Sequence, residues 1–494
     1  MKYRTQILLA GAVPALVLLQ GCTVGPDYHQ PDVSAPAQWG EPMNGGETNG
    51  SASVAAWWKT FNDSELNSLI DRAVNSNFDL KIAAARVCEA RAQYQMTSAD
   101  FWPTIDASGS YERQRQSKNQ PLLGSMPVPA NVPFENNVYQ AGFDASWEID
   151  VFGGTRRATE AAKAEVVAAE FGRRDTLVTL LGEVARNYVE ARGYQKQLAI
   201  AHQNITVQEE ALGITNDRFT HGIVPKLDVQ QATTLLATTR AEIPTLETAL
   251  QTSIHRLGVL LGQPPEGLLQ ELSTVAPIPA TPPEVPVGLP SELLLRRPDV
   301  QQAERELAAA TAQIGVATAD LFPKFSLTGL AGFQGISASD WFTAGSRFWS
   351  FGPTVQWRIF DGGRIRANIK VQDARQEAAL AHYEKTALTS FEDVENALVA
   401  YAKEQVRRRS LEDAVTSSQE SLRLANQLYS NGLVNFIDVL DAERSLYATQ
   451  DQLAQSDRAV SVNLISLYKA LGGGWETLEH SSRVALVQNG PAIK

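Results

Sequence analysis

The chain has 494 residues, 43 Lys plus Arg against 55 Asp plus Glu, a formal charge of −12 and 44% hydrophobic residues. This composition excludes a disordered polymer, and the acidic balance excludes a nucleic-acid binder working through counterion release. Two cysteines, Cys22 and Cys88, exclude a disulfide framework. The longest apolar run, Ile7 to Leu19, has 13 residues, where a spanning helix needs about 20. A β-barrel, whose membrane signal hides in alternation, stays open.

Lys2 and Arg4, the run Ile7 to Leu19, and Gly21 before Cys22 read as a secretory signal peptide over residues 1–21. Leu19-Gln20-Gly21-Cys22 resembles a bacterial lipobox, in which cleavage leaves the cysteine as an N-terminus carrying acyl chains, although Gln20 is not the usual small residue. A plain signal peptide with an incidental cysteine is the alternative. Acyl chains on Cys22 would hold the mature protein on a membrane. Thr23, in place of Asp, then implies sorting to the outer membrane, and loss of Lys2 and Arg4 takes the charge to −14. Residues 22–62 form the lipid-anchored N-terminal segment.

The chain repeats itself. Phe78 to Pro103 lies on Pro298 to Pro323 without a gap, sharing Asp79, Ala83, Ala90, Gln93, Asp100 and Pro103 with their counterparts. A second gapless block sets Gly222, Val224, Asp228, Val229 and Gly262 on Gly432, Val434, Asp438, Val439 and Gly472. The predicted division is a first repeat over 63–262, a Pro-rich linker over 263–290, a second repeat over 291–474 and a tail over 475–494. Eight of the 24 prolines fall in the linker, which predicts extended chain there.

In chain order, Asp63 to Trp102 reads as an Ala-rich helix that stops at Pro103. The period then becomes two: Ile105, Ala107, Gly109 and Tyr111 share a face, and from Tyr139 the series Ala141, Phe143, Ala145, Trp147, Ile149 and Val151 does the same. Residues Thr155 to Thr220 contain no proline, 66 residues that predict a helix of roughly 100 Å. His221-Gly222 ends it, and a return helix starts near Leu227, with Pro244 predicted to kink it. The second repeat predicts the same order. A helix over Asp299 to Phe322 comes first, then strands through Phe325, Leu327 and Phe333 and through Trp349, Phe351, Val355, Trp357 and Ile359. Another proline-free run from Arg364 to Asn431 leads to Gly432 and a return helix near Ile437.

Each repeat thus contributes one β-hairpin with an aromatic apolar face and a polar one, the mark of a transmembrane barrel with a wet interior. Half-buried strands of a soluble sandwich alternate in the same way, but the rest of the chain reads as long helix and offers them nothing to pack on. Four strands cannot close a barrel, and open edges are not tolerated in lipid, so spanning strands require several chains. Three chains supply twelve strands. The steps Phe391, Val394, Leu398 and Tyr401 in the long helix suit coiled-coil packing.

These features resemble the TolC-type outer-membrane efflux family, and more closely its lipoprotein branch of NodT-, OprM- and CusC-like proteins, over essentially the whole mature chain. The resemblance rests on Gly21-Cys22-Thr23-Val24-Gly25-Pro26-Asp27-Tyr28, on Trp57-Trp58 with Phe61, and on Leu293-Leu294-Leu295-Arg296-Arg297-Pro298-Asp299. Phe360-Asp361-Gly362-Gly363-Arg364 and Tyr468-Lys469-Ala470-Leu471-Gly472-Gly473-Gly474-Trp475 complete it. It implies a mainly α protein with a transmembrane β-barrel: a homotrimer sharing one 12-stranded barrel above a long α-helical coiled-coil periplasmic tunnel. It also implies the work of an exit duct in a tripartite pump, with a periplasmic adaptor and an inner-membrane RND-type transporter as partners.

By the same resemblance Asp438 and Asp441 form carboxylate rings that narrow the periplasmic entrance, and Tyr429 and Asp228 help hold neighbouring hairpins closed. Val434 stands where the family's latch has a basic residue. Read from the residues alone, Asp438 complements a helix N-terminus and Asp441 pairs with Arg444. The tips Gly222-Ile223-Val224-Pro225 and Gly432-Leu433-Val434 suit adaptor docking, or else form packed helix-end staples. Trp102, Tyr111, Trp147, Trp341, Trp349 and Trp357 are candidate interface-belt aromatics.

The sequence has no HExxH, P-loop, GxSxG or GxGxxG, and its histidines show no metal-ligand spacing with a cysteine, so no enzyme role, cofactor or metal is expected beyond the lipid on Cys22. The competing functional reading is a coiled-coil outer-membrane lipoprotein that tethers without a pore. A porin-like uptake channel is discouraged by the strand count and the long helices.

Overall fold

The computed structural model describes residues 23–40, 47–48, 55–115, 117, 135–282, 285–288 and 290–476. In chain order the elements are β1 (Glu47–Thr48), α1 (Ser64–Ser76), α2 (Phe78–Ala99), β2 (Thr104–Arg115), β3 (Glu135–Ile149), α3 (Gly154–Thr220) and α4 (Lys226–Leu260). There follow β4 (Val285–Pro286), α5 (Pro290–Arg296), α6 (Pro298–Ala319), β5 (Lys324–Gly335), β6 (Arg347–Gln356), α7 (Arg364–Ser430) and α8 (Phe436–Ala470). The chain divides into two compact units that each draw on both repeats: residues 1–31, 88–167 and 304–381 in one, and 32–87, 168–303 and 382–494 in the other.

The first unit holds a four-stranded antiparallel sheet in the order β2-β3-β5-β6, so β3 and β5 join the two hairpins. Register places Ala107, Phe143, Ala331 and Trp349 in one cross-strand row and Ile105, Ala145, Gly329 and Phe351 in a second row on the same face. Ile105, Phe143, Trp349 and Phe351 are exposed on that face, which is the period-two pattern made physical. The two repeats anchor their second strands alike. Trp147 donates its indole N–H to the Phe101 carbonyl at 2.9 Å, and Trp357 donates to that of Leu321 at 3.0 Å.

In the same unit the N-terminal strap is threaded closely. Val24 N–H donates to the Phe152 carbonyl at 3.1 Å, and Arg157 donates to the Val24 and Gly25 carbonyls and to Asp27 Oδ1 at 3.1, 3.3 and 2.6 Å. Gly25, at φ +89°, lies so near Gly315 that a Cβ on it would stand 2.4 Å from the Gly315 Cα. A Cβ on Gly153 would meet Thr23 at 2.8 Å.

The second unit carries the main core. Trp57 and Trp58 sit in a 3-10 turn at Trp57–Phe61, with Trp57 stacked on Tyr468 at 5.3 Å between centroids. Asp63 caps α1 by accepting from the Glu65 and Leu66 N–H groups at 2.9 Å each, which aims Leu66, Leu69, Ile70 and Ala73 inward. These pack with Leu177, Leu181 and Val184 of α3, Leu257 of α4, and Val460, Leu464 and Leu467 of α8. Fully burying such a side chain contributes about 1.5–3 kcal/mol.

Three expectations are altered. The helix expected over Asp63 to Trp102 is broken at Asn77, where ψ is 135°. The Asn77 side chain donates to the Leu260 carbonyl at 2.9 Å and accepts from Leu80 N–H at 3.0 Å, capping α2 and tying it to α4. The linker, expected to be extended, contains 3-10 turns at Pro265–Leu268 and Glu271–Ser273, because Leu268 and Leu272 are drawn into the core. Strand β6 stops at Gln356, so Trp357 and Ile359 lie beyond it. Unaltered is the extent of the return helix, since α4 continues past Pro244 to Leu260.

The linker is held by a buried cation. Arg192 on α3 donates to Gln195 Oε1 and to the Thr274 carbonyl at 2.7 Å each, and pairs with the Glu65 carboxylate. Gln195 in turn donates to the Leu272 carbonyl at 2.7 Å.

Candidate functional site

The candidate site lies at the paired helix ends α3/α4 and α7/α8. Both long helices are 67 residues long, and each stops in the same motif. Ile223 N–H donates to the Arg218 carbonyl at 2.9 Å, and Leu433 N–H donates to that of Leu428 at 3.0 Å. This six-to-one closure needs a left-handed residue before it, supplied by Gly222 and Gly432, each at φ +73°. Ile223 and Leu433 are 70% and 69% exposed, so the tips are bare aliphatic points and not packed staples within one chain. Val224 and Val434 are half-buried, whereas Pro225 is exposed.

The return helices differ in their caps. Pro225 gives α4 no side-chain cap, and Asp228 stands in its first turn. Asn435 gives α8 a capping box, in which Asp438 Oδ2 accepts from Asn435 N–H at 3.0 Å. Asp441, one turn on, accepts from Arg444 Nη1 at 3.2 Å, with both side chains largely exposed. Within one chain, then, Asp438 caps its helix and Asp441 makes a surface ion pair, as the residues alone suggest. The two carboxylates follow each other along α8.

Within one chain the Tyr429 hydroxyl makes no hydrogen bond to Asp228. Its ring lies 4.8 Å from the guanidinium carbon of Arg218 and 5.5 Å from the ring of Phe436, and its hydroxyl is buried without a hydrogen-bond partner among the described residues. Arg218 therefore links the two hairpins. The sequence reading missed it because i to i+211 neighbours leave no local signal. Beneath, Ala232 and Leu235 of α4 pack with Phe436, Val439 and Leu440 of α8. Also missed was Glu443, buried on the same helix. Its signal was present: it falls on the stripe Phe436, Leu440, Glu443, Tyr447, where an apolar residue is expected.

Cys22 lies outside the described residues. Among those described, no cluster of His, Cys, Asp and Glu is arranged to hold a metal, and no helix is long and apolar enough to cross a membrane.

A small antiparallel sheet with an exposed apolar face, carried by a chain with two 67-residue helices, is the fold of outer-membrane channels such as OprN. The family described as outer membrane efflux protein matches residues 69–263 and 289–473, and the chain belongs to it. Nodulation protein T of Rhizobium leguminosarum bv. trifolii is 34% identical over 93% of this chain and 96% of its own length. The cation efflux system protein CusC of Escherichia coli is 34% identical over 93% of this chain and 97% of its own length. The solved outer-membrane channel OprN superposes with a TM-score of 0.86 at 36% identity, covering 92% of this chain and all of that one. The protein is an efflux channel of the outer membrane, and nothing in its fold or likeness favours the non-conducting tether.

Proposed function

We propose that three copies of this chain share one 12-stranded barrel, anchored by lipid on Cys22, and form the exit duct of a tripartite pump. The observation that carries the reading is the sheet itself: the outer edges of β2 and β6 have no strand partner among the described residues, while one face is aromatic and exposed. In lipid such edges must pair, and four strands cannot close on themselves. Thr23, the residue after Cys22, packs against Gly153, four residues beyond the end of β3, which suits an anchor at the inner rim of the barrel.

The paired helices then extend into the periplasm. Threefold symmetry turns Asp438 and Asp441 of α8 into rings of carboxylates at the entrance, with Tyr429, Arg218 and Asp228 holding adjacent hairpins. The transporter of the inner membrane, an RND-type protein, supplies the energy, and the duct conducts passively. Replacing Asp441 by Ala removes one ring and only a surface ion pair, so little stability is lost. In planar bilayers the purified D441A protein is expected to conduct several-fold more than the wild type, and an unchanged conductance would count against the ring.

The exposed tips are the docking points for a periplasmic adaptor: Gly222, Ile223, Val224 and Pro225 on one hairpin, Gly432, Leu433 and Val434 on the other. Because Ile223 and Leu433 are bare in the chain, Ile223→Asp with Leu433→Asp is expected to leave folding and barrel insertion intact. Export in cells should fall to the level of a strain lacking the protein. Full export by the double variant, at equal outer-membrane abundance, places the contact elsewhere.

A further inference from the structure

A cavity of about 90 Å³ with mixed polar and apolar walls lies among α3, α7 and α8; Gln203, Asn204, Gln208, Glu443 and Gln450 supply the polar side, and Val207, Leu422 and Leu446 the apolar side. Glu443 and Gln208 are 7% and 3% exposed. Glu443 Oε2 and both Oε1 and Nε2 of Gln208 meet no hydrogen-bond partner among the described residues. Asn204 and Gln450 of the lining are engaged, with Asn204 Nδ2 donating to the Ile200 carbonyl at 2.9 Å and to Gln450 Oε1 at 3.3 Å.

Among the described residues no cation pairs with Glu443, and burial is the only influence on its carboxyl. On its own helix Arg444 is taken by Asp441, and on α3 Glu209 is paired with Arg240. On α7 Glu420 and Arg423, which flank Leu422, are exposed and pair with each other. From α4 comes Glu242, which accepts from the Tyr447 hydroxyl one turn farther along α8. A buried carboxylate with no cation costs far more than a neutral carboxyl.

We infer that Glu443 and Gln208 form a proton-binding site inside the hairpin core, one that holds a proton in acid and releases it as the medium turns alkaline. The chemistry of the two groups is complementary only in the protonated state. A neutral carboxyl offers an O–H donor toward Gln208 Oε1 and a carbonyl acceptor toward Gln208 Nε2, through a water that the cavity has room for. An ionised carboxylate has no donor, so Gln208 Oε1 stays unsatisfied and an unpaired charge sits in the core. Burial alone raises the Glu443 carboxyl from its ordinary 4.5 to about 7.

The folded state therefore holds this proton more tightly than the unfolded chain. Its contribution to stability is complete below pH 4.5 and is lost as the pH rises through about 7. Helix α8 also carries Asp438 and Asp441. If the gate proposed above stands, release of the proton loosens the helix that bears it.

The test compares thermal unfolding of the purified full-length protein with that of Glu443→Gln, which keeps the shape and removes the titration, between pH 5 and pH 8.5. The wild-type midpoint is expected to fall relative to that of E443Q as the pH rises from 5 to about 7, and the difference to level off above that. A second variant, Gln208→Glu, puts a second carboxyl in the cavity and should steepen the alkaline loss. Parallel curves for wild type and E443Q overturn the inference, as does a wild-type midpoint at pH 8 restored selectively by KCl over choline chloride, which would make the site a metal-cation site. The melting comparison is independent of conduction. Its failure overturns the proton site alone, whereas absence of conductance in bilayers overturns the channel assembly.

Discussion

Valine in place of Gly332 is expected to abolish assembly of the sheet, whereas valine at Gly329 of the same strand should be tolerated. Gly332 of β5 pairs directly with Gly142 of β3, across the seam that joins the two repeats. A Cβ on Gly332 would stand 2.4 Å from the Ala141 carbonyl oxygen and 2.7 Å from the Gly142 Cα, both backbone atoms that cannot yield without parting the strands. A Cβ on Gly142 would be 2.7 Å from the Ala331 oxygen. Neither glycine has a positive φ, so the requirement is close approach and not backbone conformation. At Gly329, by contrast, a Cβ meets nothing within 4 Å. Outer-membrane fractions should show G329V at normal abundance with heat-dependent gel mobility, and G332V lost to degradation. Normal insertion of G332V would show that the seam can open at little cost.

Arg192→Ala is expected to destabilise the second unit by about 3–5 kcal/mol, the usual cost of removing one partner from a buried ionic cluster. The side chain is 2% exposed, so no solvent replaces its bonds. Its loss leaves the Thr274 carbonyl and Gln195 Oε1 without their donor, and Glu65 without its cation, although Tyr188 still donates to Asp63 at 2.9 Å and to Glu65 at 3.3 Å. The Thr274 contact fastens the linker, so the defect should have an address. Limited proteolysis of R192A should cut within 264–290 before any other site, together with a lowered unfolding midpoint. A lowered midpoint with cleavage elsewhere would mean that Arg192 supports α3 generally and does not clasp the linker.

The parts of this molecule written in short-range pattern could be read from the sequence. Alternation named the strands because one face of each meets a different medium from the other. The absence of proline named α3 and α7, and Gly222 and Gly432 named the turns, since a left-handed closure leaves few alternatives. What escaped reading depends on approach between distant segments. Asn77 breaks a helix that its Ala-rich neighbours favour because its amide finds the end of α4. Gly142 and Gly332 look like weak strand residues until their pairing is known. At the candidate site, the positions of Asp438 and Asp441 were legible, and their bonds within one chain are the local ones that their spacing allows. Arg218 against Tyr429 was not legible, because nothing in either segment announces the other.

The strap at the start of the described chain carries a consequence for the order of events during export. Gly25 needs Gly315 as its neighbour, and Val24 needs Arg157, so contacts of the first residues span up to 290 positions of sequence. A contact between residues 290 positions apart cannot form before the later one is present, and here Gly315 lies on α6. The segment that leaves the cell interior first is thus among the last to come to rest. A truncation ending before Gly315 leaves the strap without the backbone that Gly25 rests against.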